Sequence, residues 1–520
     1  MQYDLILSGG LVVDGTGSKP YVANICVKDG KISYINQESG LNAKEILDVS
    51  GFAVTPGFID THSHSDANLL LDAPTDSKLA QGVTTEIIGN CGMSVLPATE
   101  AFYDELNDYV QLNYRTHVRN SVSDYAADVE SKGLSINCGM LVGHSMLRMA
   151  VMGFVNRDPD EREMEQLKQL LDRELERGAK GMSLGLIYPP SAFSSQEELV
   201  ELSKVIAKHD GLLAVHMRNE GAKVFEAVDE MIAIAERSGA HVHISHLKLM
   251  GKPQWGRSVE LLQKIRSARE RGVHITCDQY PFHASSTLIT AMVPHWAHAG
   301  GPEELMRRLR EREGTVCQEI AREMDNRGGP HAVLVVNTRG AHPAWEGMYM
   351  DEIARELGVD PVDAVIRVTL ETKTTGECIY FSMDAQDVMN IMKEPYICVG
   401  SDGNALSFDK NFTKSNVHPR HFAAFSQYFQ TVRENNLMPL ETAVHKTTGL
   451  AAEIMGITDR GILAEGMAAD ITVFDPNTYE SRSTFMESRV SPVGVQHVLV
   501  NGEFALRDGV ITQNRNGKVI

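Results

Sequence analysis

The seven cysteines (Cys26, Cys91, Cys138, Cys277, Cys317, Cys378 and Cys398) include no CxxC pair, and their number is odd and their spacing irregular. This argues against a disulfide framework. The opening MQYDLILSGGLVVDG has no basic stretch followed by an apolar one. No secretory leader is therefore expected, and the expected compartment is the cytoplasm. No uninterrupted apolar run reaches the ~18 residues of a membrane span. Positive charge is scarce: 49 Lys and Arg against 69 Asp and Glu leave a net charge of -20. Such a surface repels nucleic-acid phosphates and anionic lipids, so neither is expected as a partner. It leaves a small-molecule ligand open, because a local basic pocket fits inside an acidic protein. Internal repeats and low-complexity tracts are also absent, and nothing in the chain indicates an oligomeric state.

What is present is 520 residues with 42% hydrophobic and 23% charged side chains, enough to bury a large core without staples. Both ends are β-rich. Tyr3 to Leu7, Leu11 to Val13, Ile25 to Val27 and Ile32 to Ile35 read as strands, with Gly9-Gly10, Asp14-Gly15 and Asp29-Gly30 as turns. Asp470 to Phe474, Val495 to Val500 and Glu503 to Leu506 repeat the texture, with turns at Asn501-Gly502 and Asp508-Gly509. Neither end makes a stable sheet alone, so residues 1–55 and 464–520 are expected to pair into one β-sandwich.

The middle, residues 56–463, alternates strands with helices, as in parallel βα units. Strands are expected at Gly57 to Thr61, Thr84 to Ile88, Ile136 to Val142, Gly181 to Leu186, Leu212 to Val215, Val242 to Ser245, His274 to Tyr280 and Tyr396 to Gly400. Eight is the number that closes a (β/α)8 barrel of the TIM type, an α/β fold. About 115 residues separate the last two strands, too many for one crossover. Residues from about 286 to about 350 are therefore expected to form a lobe inserted over the barrel mouth.

Several of these strands end in metal-binding side chains. In Gly57-Phe58-Ile59-Asp60-Thr61-His62-Ser63-His64, residues two apart on an extended strand face one side, so His62 and His64 can address one metal. Strand ends at the C-terminal mouth are where such barrels place catalytic groups. Cys91 follows the second strand and precedes Gly92. A lone cysteine is more often a small buried hydrophobe, but this one sits at the mouth. Ala214-Val215-His216 and His243-Ile244-Ser245-His246 each end an apolar strand in histidine. His243 shares the strand face of His241, so His246 is the favoured ligand. Either histidine alone could be a satisfied core residue; two on consecutive units, with His62 and His64, make coincidence a poor account. Asp402, in Val399-Gly400-Ser401-Asp402-Gly403, ends the last strand. A carboxylate there can take a proton from an attacking water and later hand it to a leaving nitrogen.

With these residues in order, the chain resembles the amidohydrolase superfamily. The phrases PGFIDTHSHSD, QGVTTEIIGNCG, GHSMLRMAVMG, SLGLIYPP, VHMRNE, ISHLK, DQYPF, GSDG, HPR and DRGILAEGMAADITVFDP are similar to the D-aminoacylase (N-acyl-D-amino-acid deacylase) branch, and the likeness spans nearly the whole chain. Many amidohydrolases bridge two metals with a carboxylated lysine on strand four. Here Lys180 begins that strand, and its mouth reads Gly185-Leu186-Ile187-Tyr188. The resemblance implies that Cys91 takes the metal role with His216 and His246, holding one tight Zn2+. It leaves open whether His62 and His64 hold a second, weaker metal or flank the first.

The implied activity is hydrolysis of the amide of N-acyl-D-amino acids. A cyclic-amide hydrolase of the dihydroorotase or hydantoinase kind, and a non-catalytic amidohydrolase-like binding protein, are the alternatives. Tyr188, Tyr280, Ser286 and Arg420 match positions that hold the substrate carboxylate in the branch. Lys248, two residues past His246, is expected by strand alternation to face the mouth. Arg420 can grip a carboxylate bidentately, and Lys248 offers a point charge. His144, Arg148 and His283 have no role assigned.

Overall fold

The structure, a computed structural model, describes residues 2–72, 74–114, 116–412 and 416–520. Strand β1 (Tyr3–Val12) passes straight through Gly9-Gly10, where the sequence predicts a turn. The pair is a bulge: pairing with β2 (Tyr21–Lys28) shifts register between Leu7 and Gly10, and Gly9 takes φ +72°. An added residue in one strand of an antiparallel pair bends it without ending it. Strand β3 (Lys31–Asn36) follows the Asp29-Gly30 turn. Strands β4 (Ala43–Asp48) and β5 (Ala53–Pro56) complete the N-terminal part; the sequence does not predict either. Gly57 then passes the chain into the barrel, at a point so close that a Cβ would lie 2.1 Å from Thr84 Oγ1.

The barrel strands run parallel: β6 (Phe58–Asp60), β7 (Val83–Ile88), β8 (Asn137–Met140) continued past Leu141 as β9 (Val142–Gly143), β10 (Gly181–Gly185), β11 (Leu212–His216), β12 (His241–Ile244) and β13 (Ile275–Gln279). Each expected segment carries its strand. Between β13 and the last barrel strand stands a separate antiparallel sheet of β14 (Ser285–Leu288), β15 (Val333–Asn337) and β16 (Glu377–Tyr380), in the order β14-β16-β15. It packs with helices around its own apolar core of Leu305, Ile320, Trp345, Ile353 and Val365. This inserted unit reaches β16, beyond the expected boundary near 350. Strand β17 (Ile397–Val399) then pairs with β13. The ring closes onto β6 through the Asp402 amide donating to the His62 carbonyl (2.8 Å) and Thr61 Oγ1 donating to Val399 O (3.2 Å).

The C-terminal strands β18 (Ile471–Phe474), β19 (Val495–Val500), β20 (Glu503–Arg507) and β21 (Val510–Ile511) join the N-terminal ones in a single nine-stranded sheet, ordered β21-β20-β19-β18-β5-β1-β2-β3, with β4 against β1. The sheet folds over a shared core to which both ends contribute, among them Leu7, Ile25, Val54, Ile471 and Leu499. Phe58 fastens this sandwich to the barrel. Its ring stacks on Phe425 and Phe429 (5.7 and 5.1 Å between centroids) and meets Phe474 of β18 edge-on at 5.8 Å. Among the described residues no helix is long and apolar enough to cross a membrane.

Candidate active site

The turns after the barrel strands bring the predicted ligands together. His62 is fully buried, with Nδ1 3.2 Å from Asp278 Oδ2. Its Nε2 stands 3.3 Å from Cys91 Sγ and 3.5 Å from Asp402 Oδ1. His64 Nε2 lies 3.0 Å from the same Asp402 oxygen. Cys91 turns the chain after β7 with φ +54°, His246 after β12 with φ +37°, and Asp402 after β17 with φ +53°. Non-glycine residues rarely adopt this left-handed backbone, and it costs of order 1–3 kcal/mol where they do, so three such residues at one mouth mark a functional constellation. Gly92, at φ +74°, lets the Cys91 turn pack against β10; a Cβ there would sit 2.5 Å from Gly185 N.

Two overlapping groups result, each with its donor atoms within 4.8 Å of one another: Cys91, His216 and His246; and His62, His64, Cys91 and Asp402. Burial alone would raise the Cys91 thiol, but His62, His216 and His246 outweigh it and hold the thiol well below its ordinary value. Burial keeps His216 below its ordinary value as well, favouring the neutral imidazole that ligates. Among the described residues neither buried His216 nitrogen has a hydrogen-bond partner, and Glu220 Oε2 lies 3.5 Å from Nε2. An orphaned imidazole beside a thiolate and a second imidazole is a donor set that fits zinc with an open fourth position. Asp402 is buried, which would raise its carboxyl; Arg420 and His64 reverse that and hold it well below the usual range.

Two carboxylates that the sequence reading does not single out brace these ligands. Glu220 Oε1 stands 3.0 Å from His246 Nδ1 and 2.6 Å from Lys248 Nζ. Asp278 holds His62, holds His243 Nε2 at 2.9 Å and accepts from the His246 amide at 2.6 Å. Carboxylates behind ligating histidines fix their tautomer and orientation. A signal for each exists: Glu220 lies four residues after His216, and Asp278 is a charge inside the buried strand β13.

A cavity of about 670 Å³ opens over the group, lined by every predicted site residue except His62, which lies beneath. Tyr188 Oη meets Thr287 Oγ1 at 2.7 Å, and its ring stands edge-on to His216. The buried Tyr280 hydroxyl has no hydrogen-bond partner among the described residues. Lys248 and Arg420 lie 5.7 and 5.3 Å from the centre of the Tyr280 ring. Arg420 Nη1 is 2.7 Å from Asp402 Oδ2, and its Nη2 donates to the Ser286 carbonyl at 3.1 Å. The Ser286 hydroxyl donates to Cys378 O. Strand alternation is not what aims Lys248: β12 ends at Ile244, and the left-handed turn at His246 brings Nζ back to 2.7 Å from His246 Nδ1.

Of the residues without a role, His144 joins Ser191 (2.8 Å) and Glu198 (2.9 Å) in a buried network that also holds Arg148. It braces the segment after β10 that carries Tyr188. His283 is exposed against Phe485 and lies outside the cavity lining. Lys180 precedes β10, at the end of the barrel opposite the site.

Residues 45–505 match the Amidohydrolase family, and fold and site together place the chain among the amidohydrolases. It is 34% identical over 505 residues to an N-acyl-D-glutamate deacylase of Alcaligenes xylosoxydans xylosoxydans, covering 96% of this chain and 93% of that one. A D-aminoacylase of the same organism is 33% identical, covering 100% and 97%. An N-acyl-D-glutamate deacylase of Bordetella Bronchiseptica, solved with zinc and a phosphonate mimic of the tetrahedral intermediate, superposes with a TM-score of 0.84 at 33% identity, covering 100% of this chain and 99% of that one. The chain belongs to the D-aminoacylase (N-acyl-D-amino-acid deacylase) family.

Proposed function

We propose that this chain is a zinc-dependent deacylase of N-acyl-D-amino acids, releasing a carboxylate and a free D-amino acid. The observation that carries the reading is the buried Cys91, His216 and His246 group facing Asp402 and Arg420 in one cavity. Cys91, His216 and His246 would hold the zinc tightly; His62, His64 and Asp402, sharing Cys91, would hold a second, weaker one. Zinc bound there supplies Lewis acidity, polarising the acyl carbonyl and acidifying water. Asp402 accepts the proton of the attacking water and delivers it to the amine nitrogen as the amide breaks. Arg420, with the buried hydroxyl of Tyr280 and with Ser286, holds the substrate α-carboxylate. Lys248, fixed by Glu220, flanks that clamp, and Tyr188 closes its far side. Because the clamp and the metal group are both rigidly placed, only one hand of the α-carbon presents its acyl nitrogen to Asp402.

A screen of N-acetyl-D- and N-acetyl-L-amino acids, with and without a chelator, tests this. Turnover of D substrates alone, lost on chelation and restored by zinc, is expected; turnover confined to cyclic amides or L substrates overturns it. Arg420→Ala should weaken N-acetyl-D-amino acids by ~1.5–3 kcal/mol, the scale of a charged hydrogen bond. It should cost little against the matched substrate whose carboxylate is a neutral amide, since that contact is already gone. Equal losses on both would mean that Arg420 supports structure and does not read the carboxylate.

A further inference from the structure

Each cation on the cavity wall has its own carboxylate. Lys248 pairs with Glu220 at 2.6 Å, Arg218 with Glu230 at 3.1 Å and Arg322 with Glu319 at 3.4 Å. Arg339 pairs with Glu377, and Arg327 Nε donates to Glu323 Oε1 at 2.8 Å. Arg420 faces Asp402, but Asp402 also serves His64 and the proposed proton transfer, which leaves Arg420 for the substrate α-carboxylate. Among the described lining residues no Lys or Arg is left over for a second anion.

Outside the clamp of Arg420 and Lys248, Arg327 is the most buried cation of the wall. It is 5% exposed, lies 4.7 Å from the centre of the Tyr380 ring and donates Nη2 to Ala291 O. It lies within electrostatic range of Glu220, the carboxylate behind His246. The same cavity is lined by the apolar Ile187, Leu288, Ala291 and Met292, of which Ala291 touches Arg327 through its carbonyl. A carboxylate brought here would shed its hydration and find the Arg327 charge already spent on Glu323, beside a second negative group.

We infer that the cavity takes N-acyl-D-amino acids with uncharged, apolar side chains, and that Glu323 enforces this choice by neutralising Arg327. The inference rests on the deacylase reading and names the substrate class within it. Glu323→Gln keeps the size of the side chain but removes the carboxylate paired with the buried Arg327, a partner that an acidic substrate side chain can then replace.

The test measures kcat/KM for N-acetyl-D-leucine, N-acetyl-D-methionine and N-acetyl-D-glutamate on the zinc-loaded wild-type protein, Glu323→Gln, and the double variant that adds Arg327→Met. The wild type should favour the two neutral substrates over glutamate by about 10²-fold or more, and Glu323→Gln should narrow that ratio at least about tenfold. The double variant should restore the discrimination. A wild type that prefers glutamate overturns the inference without touching the deacylase reading. So does an unchanged ratio in a Glu323→Gln protein that matches the wild type in zinc content and thermal unfolding. Should the variant not fold, the wild-type ratio decides alone. No turnover of any N-acyl-D-amino acid by the wild type removes the deacylase reading itself, and the inference with it.

Discussion

Cys91→Ala is expected to purify with little bound zinc and to lose at least about 10²-fold in turnover, beyond the 10–100-fold typical of residues that only support a ligand. Cys91 is the one residue common to both candidate metal groups. The site also arranges for its charge, since the surrounding imidazoles hold the thiol well below its ordinary value despite its burial. Removing the sulfur leaves His216 and His246 as two neutral donors, too few for a closed structural or an open catalytic zinc site. The fold should survive, because alanine occupies the same backbone and leaves a vacancy only one atom deep. Metal analysis and thermal unfolding of one preparation check both halves. Full zinc with normal turnover would show that the sulfur is ordinary packing.

Asp402→Asn should fall by about 10² or more in kcat while keeping the tightly held zinc. The amide preserves shape but cannot accept a proton, and the three donors of the tight group lie elsewhere. It would also lose the charge that faces Arg420 at 2.7 Å. A modest fall in KM for carboxylate substrates should therefore accompany the loss in kcat, because Arg420 no longer has to leave an internal partner. Near-normal turnover at saturating substrate would assign the proton transfer to another group.

The mouth of the barrel is legible in the sequence because its chemistry falls where apolar strands stop. His62, Cys91, His216, His246 and Asp402 each follow a short hydrophobic run, and the run itself declares the strand. What is not legible is whatever a turn decides. Glu220 reaches His246 only because the chain reverses sharply at His246, and although Asp278 stands out as a charge inside β13, nothing in the sequence says that its partner is His62. Lys248 reaches the mouth through such a reversal and not through alternation.

The sandwich shows the same limit. Gly9-Gly10 carries the local signature of a turn, yet pairing with β2 on one side and β4 on the other makes it a bulge. Strand β5 is four residues long and ends in Pro56, a residue that ordinarily argues against a strand. Strand β4 hides behind an exposed Ile46 and alternates without a buried side. In the inserted unit, β16 is four residues standing well past the segment that looks like a lobe.

The sheet built from both chain ends has a consequence for how the molecule comes into being. Thr55 Oγ1 donates to the Thr472 carbonyl across 417 residues of sequence, and β5 has no partner on that side until β18 exists. A nascent chain emerges N-terminus first, so the first five strands leave the ribosome long before their complement does. During that interval β5 is an open edge, the kind of surface that recruits strands from other chains. The barrel can close in the meantime, since its strands pair with sequence neighbours from β6 to β13. Joining the two ends is then the slow, non-local event that seals the molecule. The later strands β18 to β21 act as a clasp on the earlier ones, and the hazard of misassembly is concentrated in the time before that clasp shuts.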